Sequence, residues 1–290
     1  MEDLNWIILK ELYRQKNITK TAESLFISQP SLTNRLRQIE KEFGVLIVHR
    51  GRRGVHFTPE GEYLAKCADE MITRLRKIKD HVLNMENQVV GTLRLAVTNL
   101  ITRKTLPRLL KLFKDRYPSV EFKVMTGWSK DVFHLIYNQE VHVGFVRGEY
   151  AWPGQKYLLS EEAICIASKE ELQLERLPYL SRIDYQTDPL FKSLIDKWWT
   201  EHYTQPPYIG MEVDKSETCR EMLLNGLGYA ILPHSVLGDA EGLFKQDLLD
   251  AEGQPIVRRT WMYYHEETLE LNLVRTFVEF VKALDLKEGL

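Results

Sequence analysis

The chain has 290 residues, 44% hydrophobic and 28% charged, with a formal net charge of −2. That is room for two modest domains of ordinary globular composition, and it excludes a disordered chain. No apolar run approaches the length of a bilayer span, and the N-terminus lacks a charged-then-apolar signal pattern, so the cytoplasm is the expected location and no membrane partner is expected.

The charge is unevenly spread. Residues 1–58 hold ten Lys and Arg against six Asp and Glu, residues 59–90 hold five against six, and the remainder holds 24 against 29. Six of the basic residues and only two acids lie between Gln29 and Arg53, where a phosphate-contacting surface would need them. Cys67, Cys165 and Cys219 are far apart and lack C-x-x-C spacing. They read as reduced structural thiols rather than disulfide or metal ligands, with redox sensing by Cys165 or Cys219 as the alternative.

In chain order, "TKTAESLF" is a short helix pattern with Ala22, Leu25 and Phe26 apolar. Ser28 then supplies an N-cap, and Pro30 fits the first turn of a second helix, where its missing N–H costs nothing. Leu32, Leu36, Ile39 and Phe43 form one apolar stripe, while Ser31, Thr33, Asn34, Arg35, Arg37, Gln38 and Lys41 face away from it. Two short helices joined by so tight a turn read as a helix-turn-helix. An ordinary αα-hairpin with a solvated face fits the same pattern.

The stretch "GVLIVHRGRRGVHFTPEG" follows. An apolar run at Leu46–Val48, a basic glycine turn and alternating Val55 and Phe57 describe a small β-wing. Its arginines suit a minor groove or a phosphate backbone, or else a solvated hairpin. Thr58 caps the next helix, with Pro59 at its first position. From there to about Gln88 the apolar positions are Leu64, Ala68, Met71, Leu75, Ile78, Val82 and Met85. That strict heptad seam predicts self-association with a second copy in preference to packing on the same chain.

Gly91 opens a different texture. Strand patterns at "TLRLAVTN", "VEFKVMTG" and "VHVGFVRG" alternate with helix patterns at "TRKTLPRLLKLFKDRYP" and "SKDVFHLIYNQ", which predicts parallel βαβ units. A hairpin-like "KYLLSEEAICIASKE" and a helix at 191–203 come next. They are followed by the strand "YIGMEV", a helix at 216–225 and the buried strand "GYAILP". A strand near Trp261–Tyr264 and an amphipathic helix from Leu269 to Leu284 end the chain. The result is two α/β lobes with crossovers near residues 160 and 266. A ligand would sit outside the strands' carboxyl ends, between the lobes.

These residues carry a family pattern. The series Ala22, Leu25, Ser28-Gln29-Pro30-Ser31, Leu36, Ile39-Glu40, Phe43-Gly44, Arg50 and Thr58-Pro59-Glu60-Gly61 closely resembles the N-terminal winged helix-turn-helix of LysR-type transcriptional regulators. "SETCREMLLNGLGYAILP" is similar to a later motif of their effector domain. The resemblance implies a multidomain chain, with an all-α winged helix-turn-helix carrying a small β-wing over 1–58 and a linker and dimerisation helix over 59–90. An α/β two-lobed effector domain, similar to periplasmic binding proteins, spans 91–290. Lobe I would cover about 91–160 plus 267–290, and lobe II about 161–266.

The resemblance places major-groove contacts on Gln29, Pro30, Ser31, Thr33 and Asn34 and wing contacts on Arg50 and Arg53. Where many members have Ser-Arg this chain has Thr33-Asn34. An amide favours adenine over the guanine that a guanidinium clamps, so altered base preference is expected. Val48 replaces the wing's usual phenylalanine. The effector pocket would draw on Thr98, Asn99 and Thr102 after the first strand, Thr126 and Ser129 after the second, Arg147 after the third, and Ser216 at a helix start. Hydroxyls, helix N-termini and a guanidinium suit an anionic co-inducer. A common Leu-Asp-Leu in the third strand reads Val141-His142-Val143 here.

The implied function is a sequence-specific, ligand-responsive regulator. It would act as a homodimer or dimer of dimers on double-stranded DNA with inverted half-sites, with RNA polymerase as a further partner. No cofactor beyond the co-inducer is implied. An enzyme carrying a DNA-targeting domain is the alternative. The sequence has no G-x-S-x-G, P-loop or H-E-x-x-H, and no complete G-x-G-x-x-G. Its histidines lack metal-ligand spacing.

Overall fold

The structure is a computed structural model and describes residues 3–51, 54–83, 88–238 and 240–284. The chain divides into two compact units, Met1–Asn87 and Gln88–Leu290.

The first unit opens with a helix absent from the sequence reading, α1 (Asp3–Gln15), which buries Trp6, Ile8, Leu9 and Leu12. In α2 (Ile18–Ser24), the Asn17 side chain caps the start by accepting from the Lys20 N–H at 3.0 Å. A tight turn leads to α3 (Gln29–Phe43), where Ser28 is extended and accepts from the Ser31 N–H at 3.3 Å. Pro30 sits in the first turn as expected. Leu32, Leu36 and Ile39 are buried in the core under α1, but Phe43 stays exposed and touches Trp6 only edge-on. Phe26 also departs from expectation. It lies in the turn at φ +54°, outside the helix, with its ring 95% exposed.

The wing forms as predicted, by antiparallel pairing of β1 (Val48–Gly51) with β2 (Gly54–Phe57). It is fixed to the end of α1 by the Val55 N–H donating to the Lys16 carbonyl at 3.0 Å. Helix α4 (Pro59–Leu83) starts under Thr58, whose hydroxyl donates to the Leu46 carbonyl at 2.6 Å and accepts from the Gly61 N–H at 3.0 Å. Along α4 the seam divides. Leu64 and Ala68 are buried, and Met71 and Leu75 pack against the same core, so α1 supplies an intrachain partner that the heptad reading did not anticipate. The Lys79–Asp3 ion pair at 2.5 Å and a Lys10–Asp69 pair show that α1 runs antiparallel to α4. Ile78 and Val82 remain 53% and 58% exposed. Met85 and Arg53 lie outside the described residues.

The second unit begins with β3 (Gly91–Thr98), α5 (Asn99–Lys104), α6 (Leu106–Arg116), β4 (Val120–Gly127), α7 (Ser129–Tyr137) and β5 (Val143–Arg147). The single helix expected from Thr102 onward is two, because Pro107, in the first turn of α6, has no N–H to return to the Arg103 carbonyl. The expected hairpin is instead one long strand, β6 (Gln155–Ser168). Then come β7 (Arg182–Tyr185), α8 (Pro189–His202), β8 (Ile209–Val213), α9 (Ser216–Leu224), β9 (Tyr229–Pro233), α10 (His234–Leu237) and β10 (Phe244–Asp247). The chain ends through β11 (Val257–Tyr264) and α11 (Asn272–Ala283).

The strand order is β4-β3-β5-β11-β6-β9-β7-β8, with β10 also on β6. Pairs β3–β4 and β3–β5 are parallel, as the alternating pattern predicts, and so is β7–β8, whose first strand the sequence does not mark. Strand β6 serves two sheets. Residues 155–163 pair with β11, and residues 164–168 pair with β9 and β10. The return to the first lobe is made by β11 itself, which pairs with β5. Residues 260–264 of β11 pair with β5, so the chain has rejoined the first sheet by Thr260, upstream of the expected 266. One core packs α6 and α11 on that sheet through Phe113, Phe145 and Phe277, and separate cores fill the second lobe.

Candidate functional site

In the first unit, the buried stripe of α3 fixes which face points outward. Gln29, Pro30, Ser31 and Asn34 are exposed and Thr33 is half-buried. Gln29 is steered by Thr19 of α2, whose hydroxyl donates to its side-chain oxygen at 3.4 Å. Ser31 and Asn34 share a shallow concavity with Arg35 and Gln38, two residues not singled out as base contacts. Arg35 reaches back to the Asn5 side chain at 3.4 Å, which anchors its guanidinium to α1. Only the backbone of Arg50 is described, in β1 opposite Val55.

In the second unit, a cleft of about 590 Å³ opens between the two sheets. All seven residues expected at a pocket line it. Thr98, Asn99 and Thr102 come from the junction of β3 and α5, and Thr126 and Ser129 from the ends of β4 and α7. Arg147 comes from the end of β5, and Ser216 from the start of α9. The topology explains the convergence, since β3, β4 and β5 are parallel neighbours whose carboxyl ends meet at one edge.

The far side was not foreseen. Asp188 caps α8 by accepting from the Phe191 N–H at 3.0 Å. Its other oxygen takes an ion pair from Arg258 of β11, whose guanidinium lies 4.5 Å over the Phe191 ring. Asp188-Pro189 carries the same cap-then-proline signature as Thr58-Pro59, so that residue was legible, whereas nothing around Arg258 marks it. A second buried pair joins Arg147 to Glu162 of β6, and Glu162 also accepts from the Ser235 N–H of α10. Burial lowers Arg147 to about 10, helped by the neighbouring Arg258 and opposed by Glu162, so its charge holds at neutral pH. Burial pushes the Tyr185 phenol up and both the Cys165 and Cys219 thiols to about 12. Those cysteines are protonated at neutral pH, in keeping with a structural part. Among the described residues no cluster of metal-ligating side chains occurs, and no helix is long and apolar enough to cross a membrane.

Residues 5–62 match the family model of bacterial regulatory helix-turn-helix proteins of the lysR family, and residues 86–285 match the LysR substrate binding domain. The chain is a LysR-type transcriptional regulator. This regulator is 42% identical over 283 residues to YraN of Bacillus subtilis (strain 168), an uncharacterized HTH-type transcriptional regulator, with 98% of each chain covered. It is 34% identical to YkuM of the same strain, also an uncharacterized HTH-type transcriptional regulator, over 98% of this chain and 97% of the relative. Its fold is similar to that of full-length CbnR in complex with its target DNA, at a TM-score of 0.66 and 19% identity, over 97% of this chain and 99% of that one. The LysR-type regulator is thus a DNA-binding protein with an effector-binding domain, and nothing in these similarities points to an enzyme.

Proposed function

We propose that this LysR-type regulator reads inverted half-sites as a dimer or dimer of dimers and is switched by a small molecule, bearing an anionic group, in the cleft of its second unit. Gln29, Pro30, Ser31, Thr33 and Asn34 meet base edges in the major groove, and Arg50 and Arg53 hold the wing on the backbone or minor groove. The exposed end of the α4 seam, at Ile78 and Val82, supports pairing with a second copy. The complex of CbnR with its target DNA supports the assignment of the head. RNA polymerase is the partner through which such a regulator acts, and the cytoplasm is where both operate.

The observation that carries the effector half is the convergence of seven donor-bearing residues, from three strand ends and the starts of α5, α7 and α9, on a single cleft. A gel shift on the DNA upstream of the regulator's own gene tests the head. Gln29→Ala and Arg50→Ala are each expected to weaken specific binding by about tenfold or more. Unchanged binding by both variants overturns the contact assignment.

A further inference from the structure

We infer that the effector is a small zwitterion, with one carboxylate and one ammonium group, of the free amino acid class. This rests on the reading of the cleft as the effector site and specifies what enters it.

The polar groups of the cleft are not of one sign. On one side, donors lack acceptors. The Thr98 hydroxyl, on a residue 5% exposed, and the Arg258 Nε–H, on a side chain 10% exposed, have no hydrogen-bond partner among the described residues. Both line the cleft. Helix α7 starts there at Ser129 without a side-chain cap, so its first N–H groups add partial positive charge. Asp131 in its first turn does not line the cleft. Buried donors left without acceptors are costly, and a carboxylate satisfies several at once.

The opposite side carries acids. Exposed Asp214 and Glu217 flank the start of α9, whereas Asp188, at the head of α8, is already taken by Arg258. Three cationic side chains line the cleft, Arg147, Arg258 and Lys215, against these three carboxylates, and Glu162 stands behind Arg147 as a fourth. Both guanidinium groups are already neutralised, Arg258 by buried Asp188 and Arg147 by half-buried Glu162. A dicarboxylate or a phosphate would be desolvated without a surplus of positive charge to meet it. A ligand with separated charges of both signs finds the Thr98 hydroxyl and the first N–H groups of α7 on one wall and the Asp214 and Glu217 carboxylates on the other. Trp128, Pro233 and Val236 add apolar surface, which suits a hydrocarbon portion between the two charged groups.

Thermal shift and titration calorimetry on the full chain test this. The probes are the twenty protein amino acids, ornithine, betaine and γ-aminobutyrate, with succinate, citrate, inorganic phosphate and glucose as contrasts. At least one zwitterion is expected to raise the melting temperature. Its N-acetyl derivative and its decarboxylated amine are each expected to bind at least about tenfold more weakly. The double variant Asp214→Asn, Glu217→Gln is expected to weaken the zwitterion by about the same factor while leaving the matching deaminated carboxylate within twofold. Thr98→Val is expected to weaken both. Silence across all zwitterions overturns the inference. If succinate, citrate, phosphate or glucose responds instead and Thr98→Val abolishes that response, the zwitterion class fails but the cleft remains the effector site. A response to any probe that Thr98→Val and Ser129→Ala both leave unchanged overturns the cleft assignment itself.

Discussion

At Gly61 a Cβ atom would lie 2.1 Å from the Ile47 carbonyl oxygen, the same oxygen that accepts from the Thr58 N–H. The Thr58-Pro59-Glu60-Gly61 signature is therefore a device of close approach, which seats the first turn of α4 on the segment that leads into the wing. Gly61→Ala forces backbone against backbone and is expected to cost about 1–3 kcal/mol, read as a lower melting temperature of the DNA-binding unit. Glu40 is similar. Its carboxylate accepts from the Ile47 N–H at 3.1 Å, so another motif position proves to be a brace. Single residues were legible where a spacing or a cap imposed them, as at Ser28, Leu32, Leu36, Ile39 and Thr58. They were illegible where long-range geometry decides. Phe26 reads as the end of a helix stripe but the turn expels it, and Arg258 shows its place only once β11 is set beside β6.

Among elements, the strands and helices with a clean period appeared close to the expected limits, including the wing and the parallel units. Three departures have physical causes. Helix α1 hides because the consecutive Ile7, Ile8 and Leu9 blur a 3.6-residue period. The helix after β3 breaks at Pro107. Strand β6 reads as a hairpin in the sequence because its polar-apolar pattern changes where it passes from one sheet to the next. Helices α1 and α2 are tied by Glu11, which bonds Arg14 at 2.5 Å, Gln15 at 2.8 Å and Ser24 of α2 at 3.2 Å. The hydrogen bond from Arg14 lowers the Glu11 carboxyl to about 2, outweighing burial, with Gln15, the Arg14 charge and Ser24 adding to it. A carboxyl that is more acidic when folded stabilises the fold above its ordinary value of 4.5 and loses that contribution as pH falls toward 2. Glu11→Gln is therefore expected to flatten the fall in melting temperature between pH 4.5 and 3 while lowering stability at pH 7. Parallel pH series of the two proteins check it.

For the molecule as a whole, the division of the α4 seam sets the assembly expectation. Its first half is consumed inside the chain, so self-association falls on the later turns. Ile78→Glu with Val82→Glu places charge on residues that are exposed in the single chain. Its expected outcome is an unchanged fold by circular dichroism and a shift toward monomer in sedimentation velocity. A wild-type and a variant that sediment alike would remove α4 as the contact. The same variant is expected to lose operator affinity, since two linked heads bind far more tightly than one.

The two lobes of the second unit share β6 and β11, and the ladder between those strands slips by one residue, leaving Leu159 without a partner between Ser160↔Thr260 and Leu158↔Trp261. Glu162 and Arg258 stand within a few residues of that slip. A pleat interrupted there bends and twists more readily than regular ladder on either side. Any rocking of one half against the other is thus concentrated at Leu159 as a fulcrum, and a small rotation there is magnified with distance toward the outer rim. On the proposed reading, a molecule that draws the rims together would spend its leverage on the ion pairs beside the fulcrum, and an object of a few atoms would set the posture of an entire half of the domain.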